Sequence, residues 1–345
     1  MRHGFLAGLL PASAVLTATV LTATVLTAPP AGAVTFDEAG VAAPFAAIAV
    51  GARAAGMGEA FTAVADDSTA LFWNPAGLAR IPDVEVQFSH NQWLADFKQE
   101  YFGASFPLAG TFAVAYSVID FGEFDELDNE GAGTGNTFAA NGQVLLLGYG
   151  KGVLNDSLFG GATVKLIKED LGGDVSEKAM SLDAGALIVP WHSVPGLSVG
   201  ACVQNLGNQI TGFDLPEGIR LGGAYTIERL LLSGDYKDDD GSRTPAQVSR
   251  DLESPDALTM VADLVLPMKG RSELRLGAEY WFRIAAVRLG YRYRFPSNEL
   301  GGLSGLTLGL GLKGRGFQFD YGFDYAYAPY GDLGNASRFT LSVSF

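Results

Sequence analysis

Alternation with a period of two runs through the last third of the chain. Aromatic residues hold six odd positions in a row: Phe317, Phe319, Tyr321, Phe323, Tyr325 and Tyr327. Between them stand Gln318, Asp320, Gly322, Asp324 and Ala326. Successive side chains of a strand point to opposite faces, so this spacing predicts a strand with one apolar and one polar or small face. Leu306, Leu308, Leu310 and Leu312 repeat the pattern, as do Val287, Leu289, Tyr291 and Tyr293, and Phe339, Leu341, Val343 and Phe345. Leu274, Leu276, Ala278, Tyr280 and Phe282 form another such row. Weaker alternation marks 84–90, 100–106, 111–119, 143–149, 158–167, 181–189, 197–205, 218–227, 230–236 and 258–266. The segments are about ten residues long, the length a tilted strand needs to cross the hydrocarbon layer of a membrane. Fifteen are read in all. An even count returns both chain ends to one side, so about 14 strands are expected, with 230–236 the segment to drop.

Alternation alone also fits a soluble sandwich whose apolar faces cover each other. The N-terminus shows that the chain is exported, and the alternating strands of the C-terminal third then favour the barrel. Arg2 and His3 precede an apolar stretch over 5–27, followed by Pro29, Pro30 and Ala31-Gly32-Ala33. A basic start, an apolar middle and small residues at a cleavage site make a secretory signal peptide, cut after Ala33; a retained anchor is the alternative. An exported chain of alternating strands predicts an all-β fold, a transmembrane antiparallel β-barrel surrounded by outer-membrane lipid. Phe345, a terminal aromatic closing an alternating strand, resembles the assembly signal of such barrels.

Composition narrows the function classes. Hydrophobic residues make up 48% and charged residues 18%, the reverse of a disordered chain. A net charge of −15 gives no support for nucleic-acid binding. One Cys and three His leave no disulfide and no Cys-based zinc site, and no metal or cofactor is expected. Ser89 and His90 are neighbours on a strand and face opposite ways, so they do not pair as nucleophile and base, and no catalytic residue is assigned. Cys202 reads as a buried, inert thiol. The carboxylates of 120–130 and 236–255 read as solvated loops; the second fails the calcium-loop pattern, with Tyr236 where an acid is needed.

Alternation also places charges on the non-lipid face: Glu273, Arg275, Glu279, Arg288, Arg292 and Arg294. A tight hairpin near Ile284 would set Glu279 opposite Arg288 and Glu273 opposite Arg294. It would also bring Arg275 beside Arg292, which is repulsive unless an acid sits nearby. The set reads as a bracing lattice inside the wall, with a filter or a site for an anionic group as the alternative.

Residues 34–82 do not alternate. They contain Gly51, Arg53, Gly56 and Gly58, then Asp66 and Asp67, then Asn74-Pro75-Ala76. Gly56-x-Gly58 lacks the third glycine of a dinucleotide loop, since position 61 is Phe. Small residues here suggest tight backbone packing in a confined space. Asp66 or Asp67 would cap a short helix, and Asn74-Pro75 would end it. This run resembles the start of PorV/PorQ-type outer-membrane proteins, which belong with the FadL-like barrels. Val203-Gln204-Asn205-Leu206-Gly207, Leu276 to Trp281 and the last strands add to the resemblance. It implies a barrel of about fourteen strands over 83–345 with an N-terminal plug over 34–82, behind the signal peptide 1–33. Asn74, Pro75 and Ala76 match a plug motif of the FadL-like proteins. The resemblance implies binding of secreted cargo proteins in a type IX-like accessory role. Alternatively, it implies FadL-like passage of hydrophobic small molecules, or a purely structural barrel.

Overall fold

A pleated strand can show apolar side chains to lipid and polar ones inward, but only if no edge is left unpaired in the membrane. The computed structural model describes residues 40–93, 97–127, 131–154, 157–172, 176–189, 194–228, 256–282, 284–295, 305–315, 320–329 and 335–345. Among them, fourteen antiparallel strands close into one barrel. They are β1 (Glu85–Gln92), β2 (Lys98–Leu108), β3 (Gly110–Leu127), β4 (Gly133–Leu154), β5 (Leu158–Asp170), β6 (Ser176–Ile188) and β7 (Leu197–Gly207). Then follow β8 (Gly218–Glu228), β9 (Ala257–Pro267), β10 (Glu273–Phe282), β11 (Ala285–Arg294), β12 (Leu306–Arg315), β13 (Asp320–Pro329) and β14 (Asn335–Ser344). β1 pairs with both β2 and β14, which removes the last edge. Segment 230–236, the 236–255 stretch, Phe317, Phe319 and residues 1–33 lie outside the described residues.

The apolar rows of the wall face outward. Leu308, Leu310 and Leu312 on β12 are about half exposed, as are Val287 and Leu289 on β11 and Phe102 and Phe112 on β2 and β3. Their neighbours in sequence, Thr307 and Arg288, are buried on the inner side at 1% exposure each. Near the barrel end that carries Phe345, the Phe112 and Tyr149 rings lie 4.5 Å apart, and the Tyr149 hydroxyl donates to the Ala109 carbonyl at 2.7 Å.

One expectation from the sequence is corrected. The acidic stretch from Asp120 is not a loop as far as Leu127, because β3 continues through it, paired with β4 across two register shifts. The flanking strands stop pairing at Asp120 and Asn141. The two strands therefore stand above the wall as a ribbon, roughly 20 Å long at about 3.3 Å per residue. Both its faces are wet, with Glu123, Phe124 and Asp125 all exposed, so no alternation betrays it.

Inside the barrel runs the N-terminal segment. It carries a 3-10 turn at Pro44–Ala47, helices at Ala52–Gly56 and Ala70–Trp73, and a second 3-10 turn at Pro75–Arg80. Helices of four or five residues do not hold themselves, so the wall must fix them. Ala52, Ala60, Phe61, Ala65, Leu71, Trp73 and Leu78 are fully buried. The segment is built of small residues because its backbone touches the wall. A Cβ on Gly56 would lie 2.9 Å from the Gly309 Cα. Gly277 and Gly290 of β10 and β11 sit against the Met57 carbonyl and the Gly58 amide. Glycine in a strand interior marks such close backbone approach.

Candidate functional site

The contact between the N-terminal segment and the inner wall is a network of ion pairs. β10 and β11 pair in the register the sequence predicts, with Glu279 opposite Arg288, Arg275 opposite Arg292 and Glu273 opposite Arg294. The Arg288 Nε donates to Glu279 at 2.6 Å. Arg53 reaches across from its helix and donates to both oxygens of Glu279 at 2.9 Å, while also holding Asp66. Burial opposes the charge on Arg53, yet Asp66 and Glu279 raise its pKa well above the ordinary value.

The Arg275–Arg292 pair is resolved by Glu59. Its carboxylate lies 3.0 Å from Arg275, 3.1 Å from Arg292 and 3.2 Å from Arg338 of β14. Burial pushes the Glu59 carboxyl up, but the guanidiniums of Arg292, Arg275 and Arg338 hold it well below the usual carboxylate range. Glu59 has φ 63°, the left-handed region that non-glycine residues seldom adopt, so the turn after Gly58 aims this side chain at a local cost.

Further polar contacts tie the segment to other strands. Asp263 on β9 accepts the amides of Phe61 and Thr62 at 2.9 Å each. Asn74 donates to the Thr62 carbonyl at 2.8 Å and to Ala186 of β6 at 3.2 Å, and its Oδ1 accepts from the Ala76 amide at 3.2 Å. Gln204 on β7 donates to the Phe72 carbonyl and accepts from Arg220 Nε at 2.6 Å. Gly58 N–H donates to Thr307 at 2.9 Å, and Ala52 N–H donates to Thr340 at 2.8 Å.

The motif residues take distinct places. Gly51, with φ 83°, opens the first helix. Asp67 does not occupy the cap position of the second helix, which Thr69 holds; Asp67 instead accepts the Thr69 amide at 2.9 Å. Burial pushes Asp67 up to about 6, Arg53 opposing and Asp66 adding to the shift. Asn74 ends that helix in extended backbone, as the following Pro75 requires. The Pro75 carbonyl packs on Gly150 and Gly161 of β4 and β5, and Ala76 is fully buried. Ser89 bonds toward β14 on the inner face, while His90 pairs with Glu100 at 2.7 Å on the other. Cys202 is buried at 1% exposure.

Sequence reasoning missed Glu59, Arg220, Gln204 and Asp263. A signal for Glu59 exists: between residues 40 and 65 the only charged residues are Arg53 and Glu59. Arg220 and Asp263 fall on the small or polar rows of β8 and β9, which the alternation places inward.

At the end opposite Phe345, the segment and the wall enclose a cavity of about 300 Å³. Val41, Pro44, Ala47 and Phe72 of the segment form one side, and Val265 and Pro267 of β9 another. Lys165, Arg220, Lys269, Arg271, Arg275 and Arg294 also line it, against Glu217 and Glu273. The lining mixes these apolar residues with charged ones, cations in excess.

A model of the uncharacterised protein family UPF0164 matches residues 20–110, which take in the N-terminal segment, β1 and β2. No curated protein matches the chain in sequence. In fold it is similar to the TodX deltaS2S3 mutant, a monoaromatic hydrocarbon channel, with a TM-score of 0.52 at 13% identity, covering 86% of this chain and 98% of that one. The toluene transporter TodX of P. putida gives a TM-score of 0.51 at 12% identity, covering 86% of this chain and 97% of that one. The likeness is one of fold, a closed antiparallel barrel.

Proposed function

We propose that the chain is an outer-membrane barrel that admits small apolar molecules, with its N-terminal segment as the plug. The observation that carries this reading is the cavity at the end opposite Phe345, one side of which is the segment itself. A ligand entering there lies against Phe72, Pro44 and Val41, so occupying the cavity and displacing the plug are mechanically linked. The fold likeness to two hydrocarbon channels supports the same reading. In this reading residues 1–33 direct export, 34–82 are the plug and 83–345 the barrel. An even strand count puts both barrel ends of the chain in the periplasm, so the cavity opens outward. Apolar solutes leave water for such a site spontaneously, because burial of apolar surface is favourable by about 25 cal/mol per Å². The polar contacts of the plug then have to exchange for passage. The test is uptake of labelled toluene into lipid vesicles containing the purified protein, against vesicles without it. Faster uptake is expected; equal rates would overturn the reading.

One observation favours partner binding, the PorV/PorQ-type role, as a second reading. The ribbon of β3 and β4 displays Phe124 and Phe138, stacked at 5.7 Å and both exposed, among carboxylates. Two exposed rings far from the wall suit a docking tip. Replacing both with Ser tests it: loss of an exported partner from the cell surface with toluene uptake intact would favour this reading.

A further inference from the structure

The cations around the cavity are not equivalent. Lys165 holds Asp183 at 2.7 Å, and Lys269 holds Asp214 at 2.8 Å. Arg275 and Arg294 share Glu273 at 2.7 and 3.0 Å. Arg220 holds no carboxylate within ion-pair distance among the described residues, although it is only 5% exposed. Its Nε donates to Gln204, and its Nη1 is buried without a hydrogen-bond partner. The guanidinium carbon sits 4.9 Å over the Trp73 ring, which fixes its plane. Asp263 and Glu59 act on it through space, beyond ion-pair distance; one Asp263 oxygen is spent on Phe61 and Thr62, and the other is buried without a hydrogen-bond partner. A buried guanidinium without a direct ion pair is costly, and planar N–H groups of this kind match a carboxylate.

We propose that Arg220 binds the carboxylate of a one-ring apolar acid lodged in this cavity. The volume sets the size: about 150 Å³ suffices for benzene, and 300 Å³ is the lower end for ligand pockets. Val265 lies opposite Arg220 across β8 and β9 and, with Phe72, Pro44 and Ala47, provides the apolar walls. Gln204 joins Arg220 to the Phe72 carbonyl, so the bound anion touches the plug through one side chain. The site rests on the passage reading for the ligand's route, and on the cavity alone for its binding.

The experiment is calorimetric titration of the full-length protein in detergent with benzoate, benzamide and inorganic phosphate. Benzoate should bind about ten- to a hundredfold more tightly than benzamide, the worth of a hydrogen bond to a charged group. Phosphate should bind more weakly than benzoate. Arg220→Gln should reduce benzoate to the benzamide level, and Arg220→Lys should keep part of the preference. Folding of each variant is checked by the heat-dependent gel shift of the barrel; where Arg220→Gln does not fold, the Lys variant and the wild-type preference decide. Equal binding of benzoate and benzamide would overturn the proposal, as would phosphate binding as tightly as benzoate, or benzoate binding unchanged in a folded Arg220→Gln protein. Toluene flux into vesicles is measured beside it: tight benzoate binding without toluene flux supports the site and removes the passage reading.

Discussion

Arg275 and Arg292 face each other across β10 and β11, and the carboxylate of Glu59 sits between them at 3.0 and 3.1 Å. Two like charges paired across strands repel. Here the repulsion becomes an attachment point for the plug: Glu273 of β10 holds Arg275 at 2.7 Å, and the acid that sits between the two arginines is brought in by the N-terminal segment. The wall is thus arranged around an occupant that comes from elsewhere in the chain.

Glu59→Gln should therefore destabilise more than the loss of one hydrogen bond. It leaves Arg275, Arg292 and Arg338 without their shared anion, and removing one partner from a buried ion group costs about 3–5 kcal/mol. The check is urea unfolding in detergent, followed by gel mobility. A cost below about 1 kcal/mol would show that Glu273 alone satisfies the arginines.

Arg53→Met should loosen the plug and leave the wall intact. Glu279 keeps Arg288 at 2.6 Å, so no wall carboxylate is stranded. Asp66 and Glu279 lose the bridge that links segment to strand. If the closed state loses about 1.4 kcal/mol, open probability rises about tenfold. Single-channel recording in a planar bilayer reads this directly, and unchanged conductance would place the restraint elsewhere.

The wall was legible in the sequence because lipid on one side and polar groups on the other impose a period of two. The β10–β11 register followed from matching Glu279 with Arg288. The ribbon from Phe121 was not legible, since water on both faces of Glu123 and Asp125 removes the period. The plug's partners were hidden for a different reason. Glu59 meets Arg338 over 279 positions of sequence, and no local pattern encodes such a contact. The lone acid beside Gly58 and the unexplained Arg275–Arg292 repulsion were the two halves of one answer.

The two faces of β12 should respond differently to substitution. Leu308 points outward and is 47% exposed. Leu308→Arg should cost roughly 2–4 kcal/mol if the position lies near the midplane, and should reduce the inserted fraction. Gly309→Ala points inward, where the new methyl would lie 3.0 Å from the Gly56 Cα and 3.1 Å from the Arg288 Cβ. That barrel should insert normally but lose about 1–3 kcal/mol through strain against the plug. Insertion is scored by membrane fractionation and stability by unfolding; equal insertion of both variants would refute the outward assignment of Leu308.

Asp67 gives the plug a pH dependence whose sign is fixed. Its carboxyl titrates at about 6 in the folded chain, against 3.8 ordinarily, because burial and Asp66 disfavour its charge. Between these values the folded state holds a proton that the unfolded state has released. Stability from this group is therefore greatest below pH 4 and falls as pH rises through 6. Asp67→Asn removes the titration while keeping an acceptor for the Thr69 amide and hydroxyl. The stability of the variant relative to wild type should rise from pH 4 to pH 6. Thermal unfolding across that range tests it: a constant difference between the two proteins would mean that Asp67 keeps an ordinary pKa and that its charge is already balanced by Arg53.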